Sequence, residues 1–364
     1  MDTKIFNILN LLEENNYESY IVGGYVRDFI LNKKSYDIDI ATSATVKEMS
    51  NFLNGNASSA HYGALKINNP PYNIDITTFR RELSYQKRNP TVCYIKDVKE
   101  DILRRDFTIN AILMDKNGNI IDYLGGIQDI RDKKIKCIGN PNEKFQDDPL
   151  RMLRALRFHA TLGFNIEPAT LNAIKKYKEL LSTLSKTRIK SEFDKILLSA
   201  NAVKAMDYMK KLGILKILDI NYKKIVKVDD LCGMYAQIDL AADFPFTKKE
   251  QSNIKTIQKI LKYGKIDNTV IYEHGLYFAM ITGLIKGKKR TAIVKQEKNI
   301  PIHNRKEINI TFDDLVNLGI PKNKINAVYT ILENLILKNK IKNDKNHLTH
   351  YVLKNKKVWC PCKT

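Results

Sequence analysis

The sequence predicts an α+β protein in which a segment of mixed strands and helices is followed by a part that is entirely helical. Three observations support this prediction: short strands alternate with helices up to about residue 140, strand patterns nearly vanish after Pro149, and apolar residues then recur at helical spacing. The chain of 364 residues is long enough for two to three domains with a sizeable buried core.

Apolar spacing predicts each element of the first segment. Ile5, Ile8, Leu9 and Leu12 follow the i, i+3, i+4, i+7 pattern of an amphipathic helix. The next elements are predicted as strand 20–22, helix 26–31, strand 37–40, helix 45–53, strand 74–79, and strands 111–114 and 120–123 around a turn at 116–119. From residue 341 onward we expect the chain to be loosely ordered.

The chain is strongly basic, with 61 Lys and Arg against 40 Asp and Glu and a formal net charge of +21. Such a charge attracts polyanions, of which nucleic acid is the commonest. The alternative is a genome whose base composition raises lysine content without any ligand, and composition alone does not separate the two. Recurrence of lysine clusters in the helical part favours nucleic-acid binding; the clusters are 175–178, 210–211, 288–290, 338–345 and 354–357.

Three features predict a cytoplasmic protein with no membrane association. The five cysteines are an odd, scattered set, which is typical of reduced thiols. The first residues lack the apolar stretch of a signal peptide, and the longest apolar run, 275–285, is too short to span a bilayer. Cys360 and Cys362 have no second ligand pair, so a frayed tail is favoured over a metal site.

Asp37 and Asp39 lie two residues apart on a predicted strand, so their side chains point the same way while Ile38 and Ile40 face the core. Asp75 repeats this design on what would be a neighbouring strand. Adjacent carboxylates repel unless a cation lies between them, and Mg²⁺ prefers oxygen ligands. Three carboxylates on one sheet face suit two such ions about 4 Å apart. A solvent-facing strand with no site is the alternative for this motif alone.

The paired glycines Gly23 and Gly24 end one predicted strand and open a helix. Backbone N–H groups can approach a phosphate at such a turn, and Arg27 in the first helical turn can reach a triphosphate oxygen. An ordinary tight turn would have the same glycines. The carboxylate pair on the next strand favours the phosphate interpretation.

A polar set flanks a short apolar run at 103–111. Arg104, Arg105, Asp106 and Asn110 lie close enough in sequence to hold a ribose and phosphates together. A capped helix end with exposed arginines explains the same residues, and both interpretations stay open.

Asp148 precedes a proline that suits the first turn of a helix, so it can serve simply as a cap. Asp148, Arg151 and Arg154 also lie within about a third of the helix circumference, whereas Arg157 points elsewhere. The Asp148 carboxylate is a hydrogen-bond acceptor, and the Arg151 guanidinium beside it is a donor. Together they match the amino group and the ring nitrogen of cytosine and of adenine. Uracil and guanine place a carbonyl against the carboxylate, so this pair can accept CTP and ATP and reject UTP and GTP.

Together these motifs resemble, in order and spacing, the class II tRNA nucleotidyltransferases, which comprise the CCA-adding enzymes and related bacterial poly(A) polymerases of the polymerase β-like superfamily. The resemblance is dense from 20 to 164, weaker at the neck-helix motif 188–193, and returns at 310–337, which is similar to the tail of bacterial CCA-adding members. The motifs that carry it are 23–28, 37–39, 104–111 and 147–151.

The resemblance implies a polymerase β-like head at 1–140, a helical neck for base recognition at 141–200, a helical body at 201–300 and a tRNA-binding helical tail at 301–364. It also implies Mg²⁺ as cofactor and tRNA, CTP and ATP as partners, with no obligate protein partner. The residue roles implied are Mg²⁺ ligation by Asp37 and Asp39, a third carboxylate at Asp75, triphosphate contacts from Gly24 and Arg27, sugar and phosphate contacts from Arg105 and Asp106, and base recognition by Asp148, Arg151 and Arg154 with Arg157 nearby.

The activity implied is untemplated addition of C, C and A to the 3′ end of tRNA, with release of pyrophosphate. Residues 81–90 occupy the place of a flexible loop that the family needs for the switch from adding C to adding A. The full length of this loop disfavours an enzyme that adds only the two C residues.

The sequence departs from the family at two carboxylates. Asp75 and Asp147 stand where most members have Glu, which keeps the charge but shortens the side chain. The competing interpretations are a poly(A) polymerase and, in a different class, a non-catalytic RNA-binding protein.

Overall fold

A computed structural model of the chain describes residues 3–56, 63–86 and 89–359, and the chain divides into two compact units, 1–220 and 221–364. The four-part division predicted from the sequence, with boundaries after residues 140, 200 and 300, stays a prediction. Cys360 and Cys362 lie outside the described residues.

The described strands of the chain are β1 Ser19–Val22, β2 Asp37–Thr42, β3 Ala64–Asn69, β4 Tyr72–Thr78, β5 Arg80–Gln86, β6 Asn89–Tyr94, β7 Leu113–Met114, β8 Ile120–Ile121, β9 Lys134–Ile135, β10 Asn165–Ile166, β11 Ile220–Asn221 and β12 Asp239–Leu240. Six of them form a mixed sheet at the centre of unit 1, in the order β3-β4-β2-β1-β7-β8. The β2–β4 pair of this sheet is parallel and its other pairs are antiparallel, which confirms the α+β class and the mixed sheet.

Eleven α-helices of unit 1 lie within its described residues, and the first buries the four apolar residues predicted to share its face. They are α1 Thr3–Glu14, α2 Gly24–Ile30, α3 Val46–Met49, α4 Val98–Leu103, α5 Gly126–Arg131, α6 Pro141–Asp147, α7 Leu150–Leu162, α8 Pro168–Tyr177, α9 Lys186–Leu198, α10 Ala202–Lys211 and α11 Ile214–Ile217. Short 3₁₀ turns occupy Thr108–Asn110 and Lys178–Thr183.

Two predicted elements are shorter than expected. The helix predicted at 45–53 ends after Met49, because the N–H groups of Asn51 and Phe52 donate to carbonyls three residues back, at 3.1 and 3.2 Å, instead of four. The strand predicted at 120–123 ends after Ile121, because the Asp122 side chain accepts hydrogen bonds from the N–H of Leu124 and from the first N–H groups of α5. Similarly, only the second half of the strand predicted at 111–114 is extended, since it follows the 3₁₀ turn.

The sequence pattern missed β3, β5 and β6, whose polar residues do not alternate cleanly with apolar ones. Pairing partners stabilise these strands instead: β3 lies antiparallel to β4, and β5 and β6 pair with each other. The described part of the segment at 81–90, predicted to be a loop, therefore belongs to a hairpin.

Unit 2 is helical around a core rich in isoleucine. Its helices are α12 Leu231–Tyr235, α13 Lys248–Lys262, α14 Asn268–Ile285, α15 Arg290–Lys298, α16 Phe312–Asn317, α17 Ile325–Leu337, α18 Lys345–Lys354 and α19 Lys356–Trp359, with 3₁₀ turns at Arg305–Glu307 and Lys322–Lys324. The prediction of loose order after residue 341 was wrong, because Leu348, Val352 and Trp359 pack into this core. No helix in the described ranges has the length and apolar character needed to cross a membrane.

Helix α5 packs closely on the 3₁₀ turn Thr108–Asn110 and holds it in place. A Cβ atom on Gly126 would lie 2.3 Å from the carbonyl oxygen of Thr108. Backbone atoms cannot move as cheaply as a side chain, so only glycine permits this approach. The neighbouring Gly125 has open space around it but a left-handed φ of 75°.

We predict that Gly126→Ala lowers the free energy of unfolding by about 3 kcal/mol through overpacking against the backbone. Gly125→Ala is the matched control and should lose only about 1 kcal/mol, from left-handed strain. Urea denaturation of both variants measures the difference. Equal losses in the two variants would show that the contact with Thr108 is unimportant.

Candidate active site

The predicted carboxylate face forms where β2 lies parallel to β4. In this register Asp39 lies opposite Asp75, and Asp37 lies opposite Asn73. Ile38 and the other alternating isoleucines of both strands are buried on the opposite face. The structure therefore brings the three predicted carboxylates to one side of the sheet.

The three carboxylates differ in their partners. Asp75 forms a 2.9 Å ion pair with Lys66 Nζ, and Asp37 accepts a hydrogen bond from Asn73 Nδ2 at 3.1 Å. Among the described residues, none donates a hydrogen bond to the Asp39 carboxylate. The pKa of Asp39 is raised, chiefly by loss of hydration on burial and further by the negative charges of Asp75 and Asp37, while the positive charges of Arg105 and Arg154 oppose the rise.

The glycine turn lies directly against Asp39. Val22, at the end of β1, pairs with Asp39, and Gly23 follows with a φ of 82° that favours glycine. A Cβ atom on Gly23 would lie 3.1 Å from Asp39 Oδ2. The paired glycines thus let the start of α2 approach the carboxylate face.

Asp39 borders two cavities of unit 1. The larger, of about 480 Å³, is strongly basic, with seven basic and four acidic side chains in its lining. The second, of about 410 Å³, includes Asp37, Asp75, Lys66 and Asn73. The larger cavity is lined by Gly23, Gly24, Arg27, Asp39, Glu82, Arg104, Arg105, Asp106, Asn110, Asp148, Leu150, Arg151, Arg154, Arg157, Phe158 and Lys195.

A hydrogen-bonded chain crosses the larger cavity from α2 to α7. Arg27 pairs with Asp28 at 2.8 Å and donates to Asn110 Oδ1 at 2.7 Å. Asn110 Nδ2 donates to Asp106, which also accepts from Arg154 Nε at 2.6 Å. Burial alone would raise the pKa of Asp106, but the charge of Arg154 and the hydrogen bond from Asn110 hold it below its usual value. Asp106 is therefore a carboxylate that orients Arg154.

Asp101 was not predicted from the sequence, yet it anchors two arginines of the cavity. Its carboxylate is 1 % exposed and pairs with Arg104 Nε at 2.8 Å and Arg105 Nη2 at 2.9 Å. It also accepts the backbone N–H of Arg80. The i, i+3 and i+4 spacing of these residues on a helix end is the signal that was available in the sequence. Arg105 is thus held by Asp101, while its sequence neighbour Asp106 holds Arg154.

Helix α7 places the predicted base-recognition residues on the wall of the same cavity. Asp148 Oδ1 accepts the backbone N–H of Leu150 at 3.1 Å, so the capping role is present. Arg151 donates to the Arg104 carbonyl at 3.0 Å and lies 3.5 Å from Glu82.

Arg157 lines the same cavity but pairs with a different helix. Its guanidinium forms a 2.5 Å ion pair with Glu192 of α9. This contact agrees with the prediction that Arg157 points away from Asp148. Sequence reasoning assigned no role to four further lining residues of the cavity: Glu82, Leu150, Phe158 and Lys195.

The carboxylate face suits a divalent metal ion. Its oxygen donors are those that Mg²⁺ prefers, and Asp39 lies opposite Asp75 and two residues from Asp37 on this face. Within the described parts of the chain, no three His, Cys, Asp or Glu side chains are grouped to hold a metal. Mg²⁺ is commonly bound by one or two carboxylates together with substrate phosphates, so a pair of aspartates is sufficient.

The chain matches two protein families by sequence. Residues 19–136 match the Poly A polymerase head domain, and residues 163–220 match a family described as the probable RNA and SrmB-binding site of polymerase A. A CCA-adding enzyme of Bacillus cereus (strain Q1) is 31% identical over 356 residues, which cover 88% of this chain and 89% of the relative. The chain belongs to the CCA-adding enzyme family.

Solved structures of this family share the fold. The Bacillus stearothermophilus CCA-adding enzyme in complex with CTP superposes with a TM-score of 0.78 at 23% identity, covering 98% of each chain. The Thermotoga maritima CCA-adding enzyme complexed with tRNA_CCA gives a TM-score of 0.70 at 22% identity, covering 98% of this chain and 96% of that chain. Membership of the CCA-adding enzyme family, shown by the sequence relatives, makes the chain a nucleotidyltransferase of a family that normally uses a divalent metal.

We predict that Asp101→Asn lowers the free energy of unfolding by about 3 kcal/mol, because two arginines then lose their buried counter-charge. Glu100→Gln is the control: it removes an exposed ion pair with Arg81 and should cost less than about 1 kcal/mol.

The same pairs predict how this stabilisation depends on pH. Arg105 and Arg104 overcome the effect of burial and lower the pKa of Asp101 below its usual 3.8. Its stabilisation is therefore complete above pH 3.8 and disappears as the pH falls further.

The measurement is urea denaturation at several pH values. The difference between wild type and Asp101→Asn should be constant near neutral pH and shrink in acid. A difference below 1 kcal/mol at neutral pH would contradict the anchoring role of Asp101 (for a buried pair the usual loss is about 3–5 kcal/mol).

Proposed function

We propose that this CCA-adding enzyme extends the 3′ end of tRNA with C, C and A from CTP and ATP at the junction of its two cavities. The observation that carries the proposal is the position of Asp39, which borders both the basic cavity and the carboxylate-lined cavity. The basic cavity would take the incoming nucleotide and the other cavity the RNA 3′ end. The 3′ hydroxyl oxygen would then bond to the α-phosphorus as the bond to the departing pyrophosphate breaks.

Asp37 and Asp39 would hold Mg²⁺, with further ligands from the nucleotide phosphates. A bound Mg²⁺ supplies charge stabilisation for the attacking and leaving oxygens. Asp75 is the third catalytic carboxylate of the proposal, and its ion pair with Lys66 holds it in place beside Asp39.

The triphosphate and sugar would lie along the arginines of the basic cavity. Gly24 and Arg27 begin α2 beside Asp39, so they would contact the phosphates closest to the metal. Arg105 and Asp106 also line this cavity, where they would contact phosphate and sugar. Lys195, on α9, adds a further positive charge to the lining.

Asp148 and Arg151 would recognise the base, with Arg154 beside them. Oδ1 of Asp148 caps α7, which leaves Oδ2 as the acceptor for the amino group of cytosine or adenine. Arg151 is nearly buried, so its guanidinium has few alternative positions. A fixed acceptor and donor select bases without an RNA or DNA template.

The lysine clusters of the helical part would contact the tRNA backbone, since phosphates dominate the affinity of basic proteins for nucleic acid. We place the tRNA-binding tail at 301–364, in unit 2, and the reaction in the cytoplasm. The likeness to a tRNA complex of a related enzyme supports this partner. A poly(A) polymerase is disfavoured because the CCA-adding relative matches the helical part as well as the head.

We predict that Asp37→Ala and Asp39→Ala each reduce nucleotide addition by at least about 10³-fold while leaving tRNA affinity and thermal stability largely intact. Asp132→Ala, which removes an exposed partner of Lys134, is the control and should retain full activity. The assay offers labelled CTP and ATP to tRNAs ending at the discriminator base, C or CC. Wild type should stop after CCA; long A tails would identify a poly(A) polymerase, and near-wild-type turnover of either variant would refute the metal assignment.

We also predict that Asp148→Ala raises UTP and GTP incorporation relative to CTP and ATP by roughly one to two orders of magnitude, since a bidentate base contact carries about 1–3 kcal/mol of discrimination. Asp148→Asn keeps an oxygen for the helix cap and should show the same loss. Arg151→Ala should weaken CTP and ATP together, and Arg157→Ala should leave selectivity unchanged. Single additions to tRNA ending in C or CC, with each nucleotide offered separately, measure these ratios. Unchanged selectivity alongside a lower melting temperature would make Asp148 a cap alone.

A further inference from the structure

Phe158 lies at the centre of an arginine cluster on the wall of the basic cavity. Its side chain is 3 % exposed, and three guanidinium carbons approach its ring centroid: Arg157 at 4.0 Å, Arg27 at 5.3 Å and Arg154 at 5.7 Å. These three contacts indicate that Phe158 does more than pack the hydrophobic core.

Each of the three arginines forms an ion pair with a different acid. Arg27 pairs with Asp28 on its own helix, Arg154 pairs with Asp106, and Arg157 pairs with Glu192. The charges of Asp106 and Glu192 also act on both Arg154 and Arg157. The ring of Phe158 contacts all three guanidinium groups.

Crowded guanidinium groups repel, and burial strengthens that repulsion. The pKa of Arg157 is lowered, first by burial and then by the charge of Arg154, with Glu192 opposing both. An aromatic ring has a negative face that attracts cations and has no charge to compete with a phosphate. Phe158 can therefore stabilise the cluster without neutralising it.

We propose that Phe158 is a positioning residue for nucleotide binding, which holds Arg27, Arg154 and Arg157 in place to receive the phosphates and sugar of either nucleotide. The inference rests on the proposed function, because it requires that the basic cavity binds CTP and ATP. It is distinct from the discrimination between bases proposed for Asp148 and Arg151, since neither is among the three ring contacts, although Arg154 belongs to both sets. Loss of the ring should accordingly weaken CTP and ATP by the same factor.

The alternative is that Phe158 only packs the core, where it meets Phe107 edge-on at a centroid distance of 5.7 Å. Phe164 offers a matched control for that role. It is also 3 % exposed, lies in the same unit, and is absent from the cavity lining. Substitution of either ring by leucine removes a similar buried aromatic group, but only one substitution affects the arginines.

The experiment measures equilibrium Kd for CTP and for ATP in wild type, Phe158→Leu and Phe164→Leu, together with KM, kcat and melting temperature. We expect Phe158→Leu to raise both Kd values by about 5- to 30-fold, with unchanged preference among the four nucleotides. Phe164→Leu should lower the melting temperature by a similar amount but change Kd by less than about twofold. Equal changes in Kd for the two variants would overturn the proposal.

Fluorinated phenylalanines placed at position 158 provide a second test that nearly preserves side-chain volume. Successive fluorine atoms weaken the negative face of the ring, so both Kd values should rise stepwise with fluorination. A flat series in a protein whose wild type binds CTP and ATP would overturn the role of Phe158 alone. Failure of wild type to bind either nucleotide would instead overturn the proposed function, and this inference with it.

Discussion

Buried positive charge is the constraint on which unit 1 depends. A guanidinium withdrawn from water is tolerated where a carboxylate or an aromatic ring compensates for the lost hydration. Asp101 provides that compensation for Arg104 and Arg105. Asp106 does so for Arg154, and Glu192 for Arg157. The pairs of Arg154 with Asp106 and of Arg157 with Glu192 join residues far apart in sequence, so these ion pairs also connect the elements around the cavity.

The sheet next to this cavity carries an excess of negative charge instead. Asp37, Asp39 and Asp75 share one face, and Asp39 has no hydrogen-bond donor among the described residues. In the proposed site, a nucleotide bound with Mg²⁺ would bring opposite charge to both environments, the metal to the carboxylates and the phosphates to the arginines. The closeness of Gly23 to Asp39 brings these two charge environments together. The charge complementarity that the proposed reaction requires would thus be a property of the fold itself.

Specificity in the proposed site depends on rigidity as much as on chemistry. Asp148 is tied to the start of α7 by its cap, and Arg151 is held by a backbone carbonyl from a distant segment. A base edge that does not match cannot induce these groups to turn, so the mismatch leaves polar groups unpaired. Phe158, on the same helix, would serve the complementary task of ordering the arginines that every nucleotide meets.

The sequence alone determined the features that depend on local spacing: the amphipathic helix α1, the strand that carries Asp37 and Asp39, the glycine turn, and the start of α7. These follow from periodicity and from conformations that few residues adopt. Only the tertiary structure decided which charges pair, that β3, β5 and β6 are strands, and that the chain after residue 341 is helical. Such outcomes depend on partners far apart in sequence, as in the pairing of Arg157 with Glu192, and local propensity contains no information about which partner a fold will supply.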